Sequence, residues 1–390
     1  MHVAELLAFL IPAIGGFLLM RAFPRKVLWW EALIPAAPML LLLPSLHYAG
    51  TAMATLATER IGGWVIQAHY YEDWDEYVHQ TCTRTVSCGK DCTTTETYDC
   101  SYVAYHPPEW TVLDSNGTTT SISEEQYHWL RNRFGNEAFV ELNRNYHFND
   151  GDRYDTVWQG RDPSFTPIFL TQFYEHRPKG ARGVFHYEPI VDATARGLHD
   201  YPPLSNYFND PAILGSCHGS TAADAELQRI NARLGASKQV RIWVLLFRDK
   251  PLSIGLDQQA HWCGGNNNEF VVCINLNNRD KPTWVHAFCW HPDGSGTNDV
   301  ARINVRDHIM THPERFQIGE AVKYIGDQVH YQWKRKSRDE LLYLDIDVPT
   351  WVCVVGPLLG AVSLAGLGWF VVNNQHEEGN VYYPRRSFRR

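Results

Sequence analysis

The sequence predicts a membrane protein with three transmembrane helices and an α+β ectodomain, which combines a disulfide-stapled β-rich part with an α/β sandwich part. Three observations carry that prediction. Apolar runs of spanning length lie at both ends of the 390-residue chain, whereas the middle is polar. Four cysteines crowd into residues 82–100. From residue 219 onward, helix-like and strand-like periods alternate.

Residues 1–47 read as a transmembrane hairpin with spans at 3–20 (VAELLAFLIPAIGGFLLM) and 27–46 (VLWWEALIPAAPMLLLLPSL), and residues 347–373 contain the third span. Each run is close to the ~20 residues that carry a helix across ~30 Å of hydrocarbon. The third has small residues at Gly360, Ala361, Ala365 and Gly368, which let helices approach closely in lipid, and Trp351 and Trp369 near its ends. Arg21, Arg25 and Lys26 lie between the first two runs; Arg385, Arg386, Arg389 and Arg390 lie in the basic tail, residues 374–390. Basic flanks face the cytoplasm, so the N-terminus and the ectodomain are expected outside, in the periplasm or its equivalent, with the lipid bilayer as one partner. Residues 1–5 lack the basic n-region of a signal peptide, so the first span is expected to remain as an anchor. Glu31, beside Trp29 and Trp30, is expected to snorkel to the interface, the alternative being ion movement or helix pairing.

With a net charge of −8 and no long basic block, the middle is not built to neutralise phosphates, which argues against nucleic acid as a partner. Eight of the nine cysteines fall in the expected ectodomain: Cys82, Cys88, Cys92, Cys100, Cys217, Cys263, Cys273 and Cys289. An even count in an oxidising compartment points to disulfides. The stretch CTRTVSCGKDCTTTETYDC reads as a small β module stapled by two bridges, with three pairings open. A zinc site with His79 is the alternative, although paired CxxC knuckles are missing. The ninth, Cys353, lies in the third span.

Residues 48–210 form the expected cysteine-rich, β-containing part. Met53, Leu56, Ala57, Ile61, Trp64 and Val65 recur at near-helical spacing, so residues 47–70 are expected to extend the second helix out of the membrane. Glu72, Asp73, Asp75 and Glu76 in HYYEDWDEYVHQTC read as a solvated acidic face, with cation binding as the alternative. A hairpin with its tip at Asn116-Gly117 follows, then a helix capped by Ser123 that ends near Gly135. Asn149, Asp150, Asp152 and Asp155 lack the order of a calcium loop and read as a turn. Residues 160–210 are irregular, with FTPIFLTQFYEH and ARGVFHYEPIV as strands.

Residues 211–346 carry an α/β order. Ser220 or Thr221 caps a helix that Gly235 stops; VRIWVLLFR is an apolar strand; Pro251 opens a helix to His261; EFVVCINLN and TWVHAFCWH are strands; helices follow from about Asp299 and over 317–338. The strand ending LLFRDK, the helix after it, the turn GGNNNEFVVCINL with its strand, the next helix and the terminal anchor together resemble the TPM-domain family. That family includes thylakoid-lumen photosystem-repair proteins and membrane-anchored bacterial homologues. The resemblance covers roughly residues 212–335 and implies an α/β sandwich outside a membrane, acting as a weak metal-dependent phosphatase or as an assembly factor. The chain departs from that pattern by carrying Cys217, Cys263, Cys273 and Cys289, and by CWHPDGSG where a Gly-containing strand end belongs.

The sharpest candidate for chemistry is His291, Asp293 and Asp299, with Asn298 beside them, after a strand, where open α/β sheets place ligands. With Glu269 or Asp257 they would hold a divalent metal for phosphoester hydrolysis; the alternative is a polar loop closing on Gly294 and Gly296. Cys217-His218 is the right pair of residue types for a nucleophile and base, but neighbours in sequence seldom face each other. No phosphate loop, G-x-S-x-G or H-E-x-x-H is present. A membrane-anchored envelope protein acting in protein interaction or assembly, through a partner on the outer side, is therefore the expectation, with the TPM-like hydrolase as alternative.

Overall fold

The computed structural model describes residues 3–22, 29–89, 92–142, 151–158, 167–181, 187, 190–203, 211–290, 296–337 and 339–373. In chain order its elements are α1 (Val3–Ala22), α2 (Met39–Thr55), β1 (Leu56–Tyr71), β2 (Trp74–Val78), β3 (Thr81–Gly89), β4 (Cys92–Asp99), β5 (Tyr102–His106), β6 (Glu109–Asp114), β7 (Thr119–Ser121), α3 (Glu124–Phe134), β8 (Gly135–Val140), β9 (Arg153–Trp158), β10 (Pro167–Glu175), α4 (Arg177–Gly180), α5 (Ala193–Arg196), β11 (Ile213–Leu214), α6 (Ser220–Lys238), β12 (Arg241–Arg248), α7 (Ser253–His261), β13 (Glu269–Leu276), β14 (Pro282–Phe288), α8 (Thr297–Thr311), α9 (Ile318–Gln332) and α10 (Thr350–Asn373). The chain divides into two compact units, one of Met1–Ala57, Tyr174–His186 and Ser337–Arg390, the other of Thr58–Phe173 and Tyr187–Lys336.

In the first unit, Thr350–Phe370 of α10 is the one helix among the described residues long and apolar enough to cross a membrane. The apolar stretch Ala8–Ala22 of α1 is shorter. α1 packs along α10 because small residues remove the side chains between them: a Cβ on Gly360 would come within 2.5 Å of the Ala8 carbonyl oxygen, and one on Gly15 within 2.2 Å of Leu364. Gly368, expected on the same surface, faces open space. The run 27–46 is not one helix. Its described part passes through a 3-10 turn at Glu31–Leu33 and further turns before α2 begins after Pro38, where proline breaks the helical ladder. Glu31 is buried in that turn, not exposed at an interface. Arg25, Lys26 and the basic tail lie outside the described residues.

The helix does not continue to residue 70. It ends at Thr55, whose carbonyl oxygen accepts the His176 N–H at 2.7 Å, and the chain turns extended at Leu56. The apolar spacing over 53–65 fits two periods, and the β-branched and aromatic content of β1 decides for a strand.

In the second unit β1 is central to a six-stranded sheet ordered β7-β6-β1-β9-β8, with β10 also pairing β1. Val65, Ala68, Val112 and Ile168 on one face pack against Tyr127 and Leu130 of α3. That helix opens with the expected cap: Ser123 Oγ accepts the Gln126 N–H at 3.2 Å while Gln126 Oε1 accepts the Ser123 N–H at 3.0 Å. The hairpin tip at Gly117 also stands where expected. A second sheet, β11-β12-β13-β14, is parallel up to β13 and antiparallel at β14. Because β12 and β13 are buried on both faces, they are continuous apolar runs. Ile242, Val244, Leu246, Val272 and Ile274 meet α6, α8 and α9 on one side; Trp243, Leu245, Phe247, Val271 and Cys273 meet Ile254 of α7, Trp262 and Leu198 on the other.

Gly235 does not stop α6, which runs on to Lys238. Its role is steric: a Cβ there would lie 2.4 Å from the Gly62 nitrogen, and a Cβ on Gly62 would lie 2.2 Å from the Asn231 carbonyl oxygen. Backbone of β1 thus rests directly on backbone of α6. The cap of α6 is Gly219, not a hydroxyl side chain.

Candidate functional site

The cysteine-rich stretch folds into a two-stranded ribbon. β2 pairs β5 from Trp74↔His106 to Val78↔Tyr102, and β3 pairs β4 from Thr81↔Asp99 to Gly89↔Cys92. The two ladders are joined: Cys100 N–H donates to Gln80 O at 2.9 Å and Gln80 N–H to Ser101 Oγ at 3.1 Å. Asp99 accepts from the Ser101 hydroxyl and N–H, and those bonds hold its carboxyl below the usual value. The ribbon is about 50 Å long at ~3.3 Å per residue.

An isolated two-stranded ribbon is marginal in water, and this one has no core of its own, every described side chain of β3 and β4 being half-buried or exposed. Covalent and cross-strand ties stand in for the core. Cys82 is bonded to Cys100, and Cys88 is disulfide-bonded as well; the side chain of Cys92 lies outside the described residues. Arg84 reaches Glu96 on the opposite strand at 2.9 Å and lies over the Tyr98 ring.

The root of the ribbon has two unlike faces. On one, Trp74 stacks on His106 at 4.3 Å, packs on Gly151, where a Cβ would come within 2.8 Å of it, and neighbours Glu76, which bonds His106 at 2.8 Å. On the other, Asp75 stands opposite Tyr105 and Tyr77 opposite Val103. Tyr105 is 62 % exposed and Val103 48 %. The Tyr105 hydroxyl reaches Asp73 at 3.4 Å, and its pKa is raised, first by partial desolvation and then by the Asp73 and Asp75 carboxylates. The acidic run therefore splits between the two faces, Glu76 bonding His106 on one and Asp73 meeting the Tyr105 hydroxyl on the other. Among the described residues, no group of three or more His, Cys, Asp or Glu side chains converges to hold a metal.

The residues singled out for chemistry are placed otherwise. His291 and Asp293 lie outside the described residues. Asp299 is ion-paired with Arg302, one turn along α8. Asn298 is buried and clamps the chain after α9, donating to Lys334 O and accepting Lys334 N–H, both at 3.0 Å. Because β14 runs antiparallel, the loop after it leaves at the amino edge of the parallel strands, opposite the carboxyl edge where such sheets bind ligands. Asp257 pairs with Arg196 at 2.6 Å. Glu269 is fully buried and accepts from the Tyr201 hydroxyl at 2.5 Å, Trp243 Nε1 at 2.9 Å and the Asn266 N–H at 2.7 Å. Burial, reinforced by Glu269, holds Tyr201 well above its ordinary pKa. Of the residues read as a turn, Asp155 lies instead in β9, where it bonds His69 at 2.6 Å and Arg153 at 2.7 Å, and Asp152 accepts the Leu142 N–H; Asn149 and Asp150 lie outside the described residues.

The later cysteines form no bridges. Cys217, Cys263 and Cys273 are free thiols, and Cys289 is a thiol in the core. The sheet keeps them apart: Cys273 packs on the α7 side, Cys289 on the side of α6, α8 and α9, Cys217 precedes α6, and Cys263 is exposed after α7. Burial and Asp280 push the Cys217 thiol up in pKa, and it points to the His218 carbonyl at 3.7 Å, so the pair is no activated nucleophile.

Sequence reasoning missed a cleft of about 660 Å³ at the carboxyl edge, between the amino ends of α6 and α9, with Arg279, Lys281, Lys323 and Asp280 on its walls. Its signal was there in the turn NNRDK between the two strands. Comparison with known protein families, curated proteins and solved structures finds no match to the chain.

Proposed function

We propose that the chain is a membrane-anchored envelope protein that acts by binding another protein on the outer side of the membrane, with the stapled ribbon as its recognition arm. One observation carries this reading: a ribbon whose outer half packs on no core is nonetheless stiffened by disulfides, and its root presents exposed Tyr105 and Val103 on one face and exposed Tyr102 on the other. Ordering a solvent-exposed hairpin costs conformational entropy, and rigidity set in advance lowers the cost of binding. The topology within this reading has three spans, with α10 joined by α1 and the segment ending in α2, the ribbon outside and the tail inside.

A photo-reactive residue at position 105, irradiated in native membranes, tests the arm. A defined protein adduct that fails to form from position 331, an exposed site on α9, is the expected result. Equal labelling from both positions would remove the proposal.

A second reading, the TPM-like metal-dependent phosphoester hydrolase, is favoured by the cleft, where Arg279, Lys281 and Lys323 stand with Asp280 and Glu226 at the amino ends of two helices, a setting for both a phosphoryl group and a cation. Turnover of a generic phosphoester with added divalent metal, lost in Arg279→Ala, would favour it over the binding reading.

A further inference from the structure

We propose that a second cleft, in the first unit, seats the head group of a membrane phospholipid that carries a primary ammonium. The inference rests on the membrane reading and goes beyond it by naming a lipid. The cleft holds about 830 Å³ between the end of α2 and the chain that leads into α10, with Tyr48, Thr51 and Thr55 on one wall and Leu342, Asp345 and Asp347 on the other. Two close approaches fix its depth. A Cβ on Gly50 of α2 would come within 2.5 Å of Val352 in the first turn of α10, and one on Gly356, further along α10, within 3.4 Å of Leu43. The two helices therefore run antiparallel, and the exposed Leu40, Leu41 and Leu42 lie alongside the apolar span. The cleft opens at the level where that span starts. A bilayer crossed by α10 thus places it in the head-group layer.

Its walls are held by bonds of their own. Arg177 donates to the carbonyl oxygens of Leu341 at 3.0 Å and Leu344 at 2.8 Å while pairing with Glu175 at 2.8 Å, and the Asp347 N–H donates to Gly180 O at 3.1 Å. Charge complementarity then selects the occupant. Arg177 is neutralised by Glu175, whereas Asp345 is exposed and has no partner among the described residues. Lys179 is exposed too, its Nζ 3.1 Å from the carbonyl oxygen of Leu56, which lines the cleft. Asp345 and Lys179 are each one residue from the same contact, since a Cβ on Gly180 would meet Ile346 at 3.0 Å. A carboxylate and an ammonium so placed match a zwitterionic head group, its ammonium on Asp345 and its phosphate on Lys179. A primary ammonium brings three N–H donors to the carboxylate, whereas a quaternary one brings none and needs an aromatic cage, of which Tyr48 is the one ring lining this cleft. Tyr48, 76 % exposed, and Leu342, 53 % exposed, supply the amphipathic rim past which the acyl chains leave.

The full chain, reconstituted into vesicles of equal phosphatidylethanolamine and phosphatidylcholine, extracted in mild detergent and read by native mass spectrometry, tests this. One retained phosphatidylethanolamine per chain is expected, favoured about fivefold over phosphatidylcholine. Asp345→Asn should bring the two lipids to equal retention, Lys179→Gln should lower both, and Arg84→Gln, on the ribbon, should change neither. Equal retention by the unaltered chain, no retained lipid, or a preference that survives Asp345→Asn would overturn the proposal. Flotation of the same vesicles separates the two levels of failure: a chain that floats with them yet keeps no lipid discards the cleft and leaves the membrane reading standing, and a chain that stays behind removes both.

Discussion

Glu269 is the residue whose environment differs most from its appearance in the sequence. A carboxylate at a strand start resembles a metal ligand, yet here it satisfies Tyr201, Trp243 and Asn266 in the interior. Glu269→Ala would leave those donors buried and unmet, at a cost of about 3 kcal/mol, read as a lowered denaturant midpoint. His199 makes the pH dependence testable. It is largely buried, with Nε2 on the Leu246 carbonyl at 3.0 Å, and burial lowers its pKa below 6.5; burial, then Arg302, lowers His286 likewise. Both take up a proton at lower pH in the folded chain than in the unfolded one, which begins to do so near pH 6.5, so stability is full above that point and falls as pH drops below it. Midpoints measured from pH 7.5 to 5.5 should decline, and His199→Gln should flatten the decline.

At the scale of elements, the ribbon and the Gly62–Gly235 contact make opposite predictions. Cys82→Ser with Cys100→Ser opens a loop whose ends are 18 residues apart, worth about 3 kcal/mol of closure entropy, but the loss falls on the ribbon alone. Protease should then cut between residues 82 and 100 while the rest of the chain stays resistant; general loss of resistance would show that the ribbon supports the fold. Gly62→Ala presses a methyl against the backbone of α6 and should cost about 1–3 kcal/mol of whole-unit stability, measured by thermal unfolding. Much of this level was legible in the sequence. VRIWVLLFR and EFVVCINL are unmistakable buried strands, and the Ser123 cap and the Asn116-Gly117 turn stand where their chemistry puts them. β1 was hidden because its apolar residues over 53–65 also match a helix. The direction of β14 was hidden because sheet polarity leaves no local trace, and with it went the reason for placing a site at Asp299. The ribbon was legible as a stapled module, but which side chains share its open face depends on the register across residues 79–81.

For the whole molecule, Thr350–Phe370 of α10 is long and apolar enough to cross a membrane, and the proposed membrane residence is testable from it. The intact chain should sediment with membranes, resist alkaline carbonate, and enter solution with detergent; recovery in the aqueous supernatant would remove the membrane from the account. Added to sealed, outward-facing membranes, protease should reach residues 110–120 and leave the tail intact if the ribbon stands outside.

The distribution of sulfur has a consequence for how such a chain matures. If the chain is exported as proposed, it meets oxidant while unfolded, when all its thiols compete for partners. The ribbon's bond is local and closes early, while Cys273 and Cys289 vanish into opposite sides of one sheet as that sheet assembles. Correct pairing is thus a race between collapse of the α/β half and exchange at its thiols. A variant that slows this collapse should accumulate scrambled species long before it loses equilibrium stability.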